Sequence, residues 1–150
     1  MYFYNRAEVG RELAKNLAGY QAKNCAIIAL SRGAVLVGAQ IAIKLHSNLM
    51  MLMTENIQIP GENTPLAALS DSNAMTYNRA FSTGEIDEFS MEYFNFIEQQ
   101  RMEKVHKLHR LMGAGGQVKK ELLRHHIVIV VSEGLSTGLS LDVVADYLKS

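Results

Sequence analysis

At 150 residues and zero formal charge, with fifteen basic and fifteen acidic side chains, the chain is long enough for one domain that buries about two-thirds of its unfolded surface. The neutral balance gives no charge argument for a nucleic-acid partner, and the single cysteine, Cys25, excludes a disulfide framework. No apolar run approaches the roughly 20 residues needed to cross a bilayer, and the N-terminus lacks the basic-then-apolar layout of a signal peptide. The expectation is a soluble, cytoplasmic protein with no membrane partner.

Asn5 and Glu8 stand three residues apart, the spacing of a capping box with Asn as the cap. Val9, Leu13 and Leu17 then predict one apolar face of a helix that ends near Gly19. Cys25 to Leu30 reads as a buried strand. Ser31 to Ala34 turns the chain into a helix over Val35 to about Leu45, whose Ala and Gly content suits close packing on a sheet. Asn48 to Met53 is a second strand, and strand, helix, strand in so short a span predicts a parallel crossover. Thr54 to Thr64, broken by Pro60-Gly61, is expected to be a loop. Leu66 to Leu69 and Ala74 to Tyr77 predict a short antiparallel hairpin around Ser70-Asp71-Ser72-Asn73. Asn78 to Glu88 is polar and is expected to be a mobile loop. A long helix follows over Phe89 to Met112, with Phe89, Tyr93, Phe96, Ile97, Val105, Leu108 and Met112 at helical spacing. Gly113-Ala114-Gly115-Gly116 stops it, and Gln117 to Arg124 would add one or two helical turns.

The stretch that organises the chain follows. Ile127 to Val131 is an unbroken aliphatic run, expected to be a central strand buried on both faces. Ser132, Glu133, Gly134, Leu135, Ser136, Thr137 and Gly138 then form a glycine- and hydroxyl-rich turn. Ser140 reads as the N-cap of a helix over Leu141 to Leu148, with Asp142 in its first turn. A loop that brings backbone N–H groups and small hydroxyls to a helix start is an anion cradle, and phosphate is the ligand expected there.

Ser132 to Ser140 resembles the phosphoribosyl-pyrophosphate (PRPP) loop of type I phosphoribosyltransferases: an aliphatic strand, two acids, then T-G-x-[ST]. Thr137-Gly138-Leu139-Ser140 matches the last part and Glu133 the second acid, while Ser132 stands where the first acid belongs. Upstream, Ile27-Ile28-Ala29-Leu30-Ser31-Arg32-Gly33-Ala34 is similar to that family's first strand and pyrophosphate turn. Asn5 to Ala14 is similar to its opening helix. The resemblance implies a Rossmann-like three-layer α/β domain with a mostly parallel sheet, spanning residues 1–150. The chain ends one helix after the loop, where that family carries further strands. The expectation is therefore a sheet truncated at its C-terminal strands: a piece of a longer chain, or an edge completed by a partner or a second copy.

By the same resemblance the ligand is PRPP or another ribose 5-phosphate. Ser136, Thr137, Gly138, Leu139 and Ser140 would hold the 5′-phosphate, with Ser132, Gly134 and Leu135 completing the loop. Glu133 would take the ribose hydroxyls. Ser31, Arg32 and Gly33 would meet the leaving pyrophosphate and its Mg²⁺, with Arg32 and Glu133 as the catalytic pair and the Ser31–Arg32 peptide cis. Three departures argue against full turnover. Ser132 is no carboxylate, which weakens sugar binding by about one to two decades. Met53-Thr54-Glu55-Asn56 puts an acid where that family tends to have a lysine, and Thr64 to Leu69 lacks its E-x-A-x-G-A pattern. The expected function is a ribose-phosphate-binding domain with weak or lost transferase activity. The alternative is a non-catalytic sensor or assembly subunit.

Other clusters read as structural. Glu103, His106 and His109 share a helix face with Lys104, Lys107 and Arg110, which suits a solvated surface better than a metal site. The basic residues there interleave with Glu92, Glu98 and Glu103, so helix-surface pairing is preferred to contact with nucleic acid. Met50, Met51 and Met53 read as packing.

Overall fold

The computed structural model describes residues 2–113, 118–135 and 138–149. The chain divides into two compact units, Met1–Leu52 with Ala114–Leu135, and Met53–Gly113 with Ser136–Ser150.

The first unit opens with helix α1 (Arg6–Asn16), capped by Asn5, whose side chain accepts from the Glu8 amide at 2.9 Å. The return arm of the box reaches one residue further out, where the Tyr4 amide donates to the Glu8 carboxylate at 2.8 Å. Val9 and Leu17 pack on the core, but Leu13 is 41% exposed, and Gly10 and Ala14 are the buried positions. The cause is close approach to helix α2 (Arg32–Leu45). A β-carbon on Gly10 would lie 2.6 Å from the Val37 carbonyl oxygen, so only small residues fit between the helices.

Strand β1 (Cys25–Ala29) is buried throughout and pairs in parallel with β2 (Asn48–Met51) on one side and β6 (Ile127–Val131) on the other. The second strand thus ends two residues short of Met53. The order β2-β1-β6 also corrects the expectation for Ile127 to Val131: it is an outer strand with only Val131 buried. An aliphatic run signals contact with a core but not rank within a sheet. The middle place goes to Cys25–Ala29, and α2 lies close over this sheet. A β-carbon on Gly38 would be 3.0 Å from a Leu49 methyl and 3.4 Å from one of Ile27. Ala34, Val37, Ile41, Ala42 and Leu45 of α2 recur at helical spacing and share one core with Ile27, Ala29 and Val131.

The second unit holds an antiparallel sheet of β3 (Thr54–Ile57), β4 (Ala67–Ser70) and β5 (Met75–Tyr77). The β4–β5 hairpin is as expected, whereas β3 replaces the first part of the expected loop. Alternate residues of β4 serve two cores. Ala67 and Leu69 join Ile57, Ile59, Ile97 and Leu108, and Ala68 joins Leu139 and Val143 of helix α5 (Leu139–Lys149).

Residues 83–88, expected to be mobile, belong to helix α3 (Thr83–Glu92), held by a capping box between Ser82 and Glu85. The expected single long helix is two, because α4 spans Phe94–Met112 and Tyr93 between them has φ −107° and ψ 24°. Phe89 makes an edge-on contact with Phe81 at 5.8 Å and a tilted one with Tyr93 at 6.3 Å, and all three rings pack on the core. That aromatic packing, rather than a Gly or Pro, accompanies the break. A single turn of 3-10 helix at Lys120–Leu122 precedes β6.

The fold is therefore α/β, with a three-stranded parallel sheet in one unit and a separate three-stranded antiparallel sheet in the other. No described helix is long and apolar enough to cross a membrane.

Candidate functional site

The C-terminal ends of β1 and β6 lie side by side, joined beyond the strands by the Leu30 amide donating to the Val131 carbonyl at 3.0 Å. Ser31 follows β1 directly. Its extended backbone and side chain cap α2, with Oγ accepting from the Ala34 amide at 3.1 Å. The expected pyrophosphate turn is thus the N-cap and first turn of a helix. No peptide among the described residues is cis, so the Ser31–Arg32 bond is trans. The capped helix start needs no strained peptide to turn the chain.

Glu133, two residues beyond β6, reaches back over this turn. Its Oε2 accepts from Ser31 Oγ at 2.9 Å, and its Oε1 accepts from Arg6 Nε at 2.6 Å, with Arg6 Nη2 at 2.6 Å from the same oxygen. A β-carbon on Gly33 would coincide with this carboxylate, so glycine alone leaves room for it there. The hydrogen bond from Arg6 and then that from Ser31 hold the Glu133 carboxyl below the usual glutamate range. Slight desolvation opposes this, and the Arg6 charge adds to it. The group is a lone acid, ionised and fixed in plane at the mouth of a parallel sheet.

The structure therefore brings together Ser31, Gly33 and Glu133. Arg32 is exposed and makes no ion pair among the described residues. Ser132 turns inward on its own loop, its hydroxyl donating to the Gly134 carbonyl at 2.8 Å and accepting from the Gly134 amide at 3.3 Å. Gly134 and Leu135 are exposed. Ser136 and Thr137 lie outside the described residues.

Beyond them, Gly138 has φ +74° and its carbonyl accepts from the Leu141 and Asp142 amides, at 3.0 and 3.2 Å. α5 thus starts at Leu139 with Gly138 in the cap position. Ser140 is the second helical residue rather than the N-cap, and its hydroxyl lies 3.3 Å from that of Thr54. The Leu139 side chain is buried in the core with Ala68 and Val143.

Arg6 was not legible as a site residue, yet one signal existed. A cation at the first position of a helix opposes the macrodipole, so its place there calls for another reason.

Glu55 also has a different setting from the one expected. It stands on β3, 2.6 Å from Lys107 Nζ and 3.8 Å from Lys104 Nζ of α4, so its charge is neutralised within its own unit. The helix-borne basic cluster is largely engaged. Arg101 donates to Asn73 Oδ1 at 2.8 Å, and His109 Nε2 lies 2.8 Å from the Asp71 carbonyl oxygen. Among the described residues no group of three or more His, Cys, Asp or Glu side chains is placed to hold a metal ion. Open depressions lie among the described residues. One of about 420 Å³ is flanked by Tyr4, Arg6 and Leu36, and another, of about 520 Å³, by Arg101, His106 and His109.

Parallel strands followed by a capped helix, with a fixed acid over the turn, define an α/β protein with its candidate site at the strand C-termini. A similar fold occurs in TT1426 from Thermus thermophilus, known from its crystal structure. The TM-score is 0.70 and the identity 19%, over 99% of this chain and 69% of that one. At that identity the likeness is one of fold. No family model matches the chain, and no curated protein matches its sequence.

Proposed function

We propose that this chain is a phosphoribosyltransferase-like domain that binds PRPP or another ribose 5-phosphate, with transferase turnover weak or lost. The observation that carries the reading is the Glu133 carboxylate, held over Gly33 and bonded to Ser31 at the C-terminal ends of adjacent parallel strands. The sheet order β2-β1-β6 sends the chain from β1 to one side while β6 lies on the other, the arrangement beside which open α/β sheets take ligands. An ionised acid is an acceptor only, and it suits the hydroxyls of a ribose.

In this reading Glu133 accepts from the sugar, the segment Ser136 to Ser140 takes the 5′-phosphate on its sequence pattern, and Ser31, Arg32 and Gly33 face the pyrophosphate. Mg²⁺ arrives with the pyrophosphate as part of the ligand. The type I three-layer architecture belongs to the same proposal.

Binding without efficient turnover is favoured by Ser132, whose hydroxyl is closed on Gly134 and supplies no second carboxylate. The same fact supports the second reading, a sensor or assembly subunit, in which the outer strand β6 would take a partner chain or a second copy.

Titration calorimetry with ribose 5-phosphate and with Mg²⁺-PRPP tests the proposal. Binding that weakens in Glu133→Gln and disappears in Gly138→Val is expected, and no heat from wild type at millimolar ligand removes the reading. Pyrophosphate release with a panel of bases separates enzyme from sensor.

A further inference from the structure

We propose that Arg6 is a positioning residue for ribose recognition: it acts through Glu133, holding that carboxylate over Gly33 in the orientation that meets a sugar hydroxyl. This inference rests on the ribose-phosphate reading of the site.

Arg6 comes from the opposite end of the chain, 127 residues away, and places Nε and Nη2 on one carboxylate oxygen while Ser31 Oγ takes the other. Donors on both oxygens fix the plane of the group. A carboxylate offers about four lone-pair directions, so these three donor contacts leave at least one for a ligand hydroxyl. The pair is exposed, with the two side chains 57% and 39% accessible, and exposed ion pairs add little to stability. Nor does Arg6 serve its helix, since it opposes the dipole at the start of α1, where Asn5 and Glu8 already satisfy the cap.

Its geometry is explained by what it does to Glu133. With Ser132 in place of a second acid, one carboxylate must recognise the sugar alone, and a freely rotating glutamate would lose side-chain freedom on binding. Arg6 orders it in advance.

The test compares wild type, Arg6→Gln and Arg6→Lys by calorimetry with ribose 5-phosphate and with 2-deoxyribose 5-phosphate. Carboxyl ¹³C NMR follows the titration of Glu133 in the free proteins. Arg6→Gln is expected to weaken ribose 5-phosphate about three- to tenfold, leave the deoxy sugar nearly unchanged, and move the Glu133 titration up. Arg6→Lys should recover part of the affinity. If wild type binds neither sugar phosphate, the ribose-phosphate reading falls and this inference falls with it. If wild type binds and Arg6→Gln binds ribose 5-phosphate equally well while the Glu133 titration moves, the positioning role alone is overturned. Equal loss of both sugars would overturn it too, because Arg6 would then touch the phosphate directly.

Discussion

The Glu133 carboxylate occupies the volume that a β-carbon on Gly33 would need. Two residues a hundred positions apart are thus fitted to each other by the absence of one atom.

Gly33→Ala follows directly. The added methyl group must push the carboxylate away from Ser31 and Arg6, because the other side of the clash is fixed helix backbone. Ribose 5-phosphate affinity is expected to fall about ten- to hundredfold, the loss of one hydrogen bond to a charged group. Thermal stability should hold or rise, since Ala is favoured over Gly within a helix by about 0.5–1 kcal/mol. Affinity unchanged in a well-folded Gly33→Ala protein would remove Glu133 from the site.

Glu133 also sets a pH signature. Its carboxyl is held below the usual range by the hydrogen bond from Arg6 first and from Ser31 second. A depressed acid contributes to stability and binding above its unfolded value, and the contribution is lost as pH falls through the folded one. The ligand phosphate titrates as well, near pH 6, but it does so equally in Glu133→Gln. The ratio of wild-type to Glu133→Gln affinity is therefore expected to fall at a lower pH than an unperturbed glutamate would set. A fall at the pH of an unperturbed glutamate would mean the Arg6 and Ser31 contacts are not kept in solution.

What could be read from the sequence follows a physical division. Periodicity and caps are local, so α1, β1, α2, β2 and the β4–β5 hairpin were visible, as was the turn that carries Ser31 and Gly33. Rank within a sheet is not local, and the Ile127–Val131 run gave no hint that it lies at the outside. β3 was hidden because Glu55, which reads as a loop residue, is matched by lysines on α4 that no local window contains. The helix break at Tyr93 comes with aromatic packing and has no Gly or Pro to announce it. Ser82-Thr83-Gly84-Glu85 did carry a legible signal in its capping-box spacing, and the polarity of the stretch masked it. At the site, Glu133 and Gly33 could be nominated by motif. Their contact, and the part of Arg6 in it, needed three dimensions.

Gly10 makes a separate demand on the first unit. A β-carbon there would lie 2.6 Å from the Val37 carbonyl oxygen and 2.8 Å from the Gln40 β-carbon, and neither backbone nor Cβ can swing aside. Gly10→Ala is expected to cost about 1–3 kcal/mol through overpacking, against its gain in helix propensity. Urea unfolding should show a lower midpoint with an unchanged slope. A midpoint at or above wild type would mean that α1 and α2 separate without cost.

The second unit has its own local device at Ser82. Its hydroxyl accepts from the Glu85 amide at 3.3 Å, and the Glu85 carboxylate accepts from the Ser82 amide at 2.7 Å. The backbone bond from Ser82, then its hydroxyl, hold the Glu85 carboxyl below the ordinary range. Since the folded value is the depressed one, the carboxylate arm of the cap is complete above the unfolded value and is lost as pH falls through the folded value. Ser82→Ala removes the hydroxyl and is expected to cost about 1 kcal/mol. The loss should be local first: amide exchange at Ile86 and Phe89 should quicken while amides of β4 keep their protection, because Ile86 and Phe89 only flank the core that β4 builds. In acid, both proteins should lose the bond from the residue-82 amide as Glu85 takes its proton, while wild type keeps the hydroxyl's bond from the Glu85 amide. Equal protection in the two proteins at neutral pH would show that α3 is held by its aromatic contacts alone.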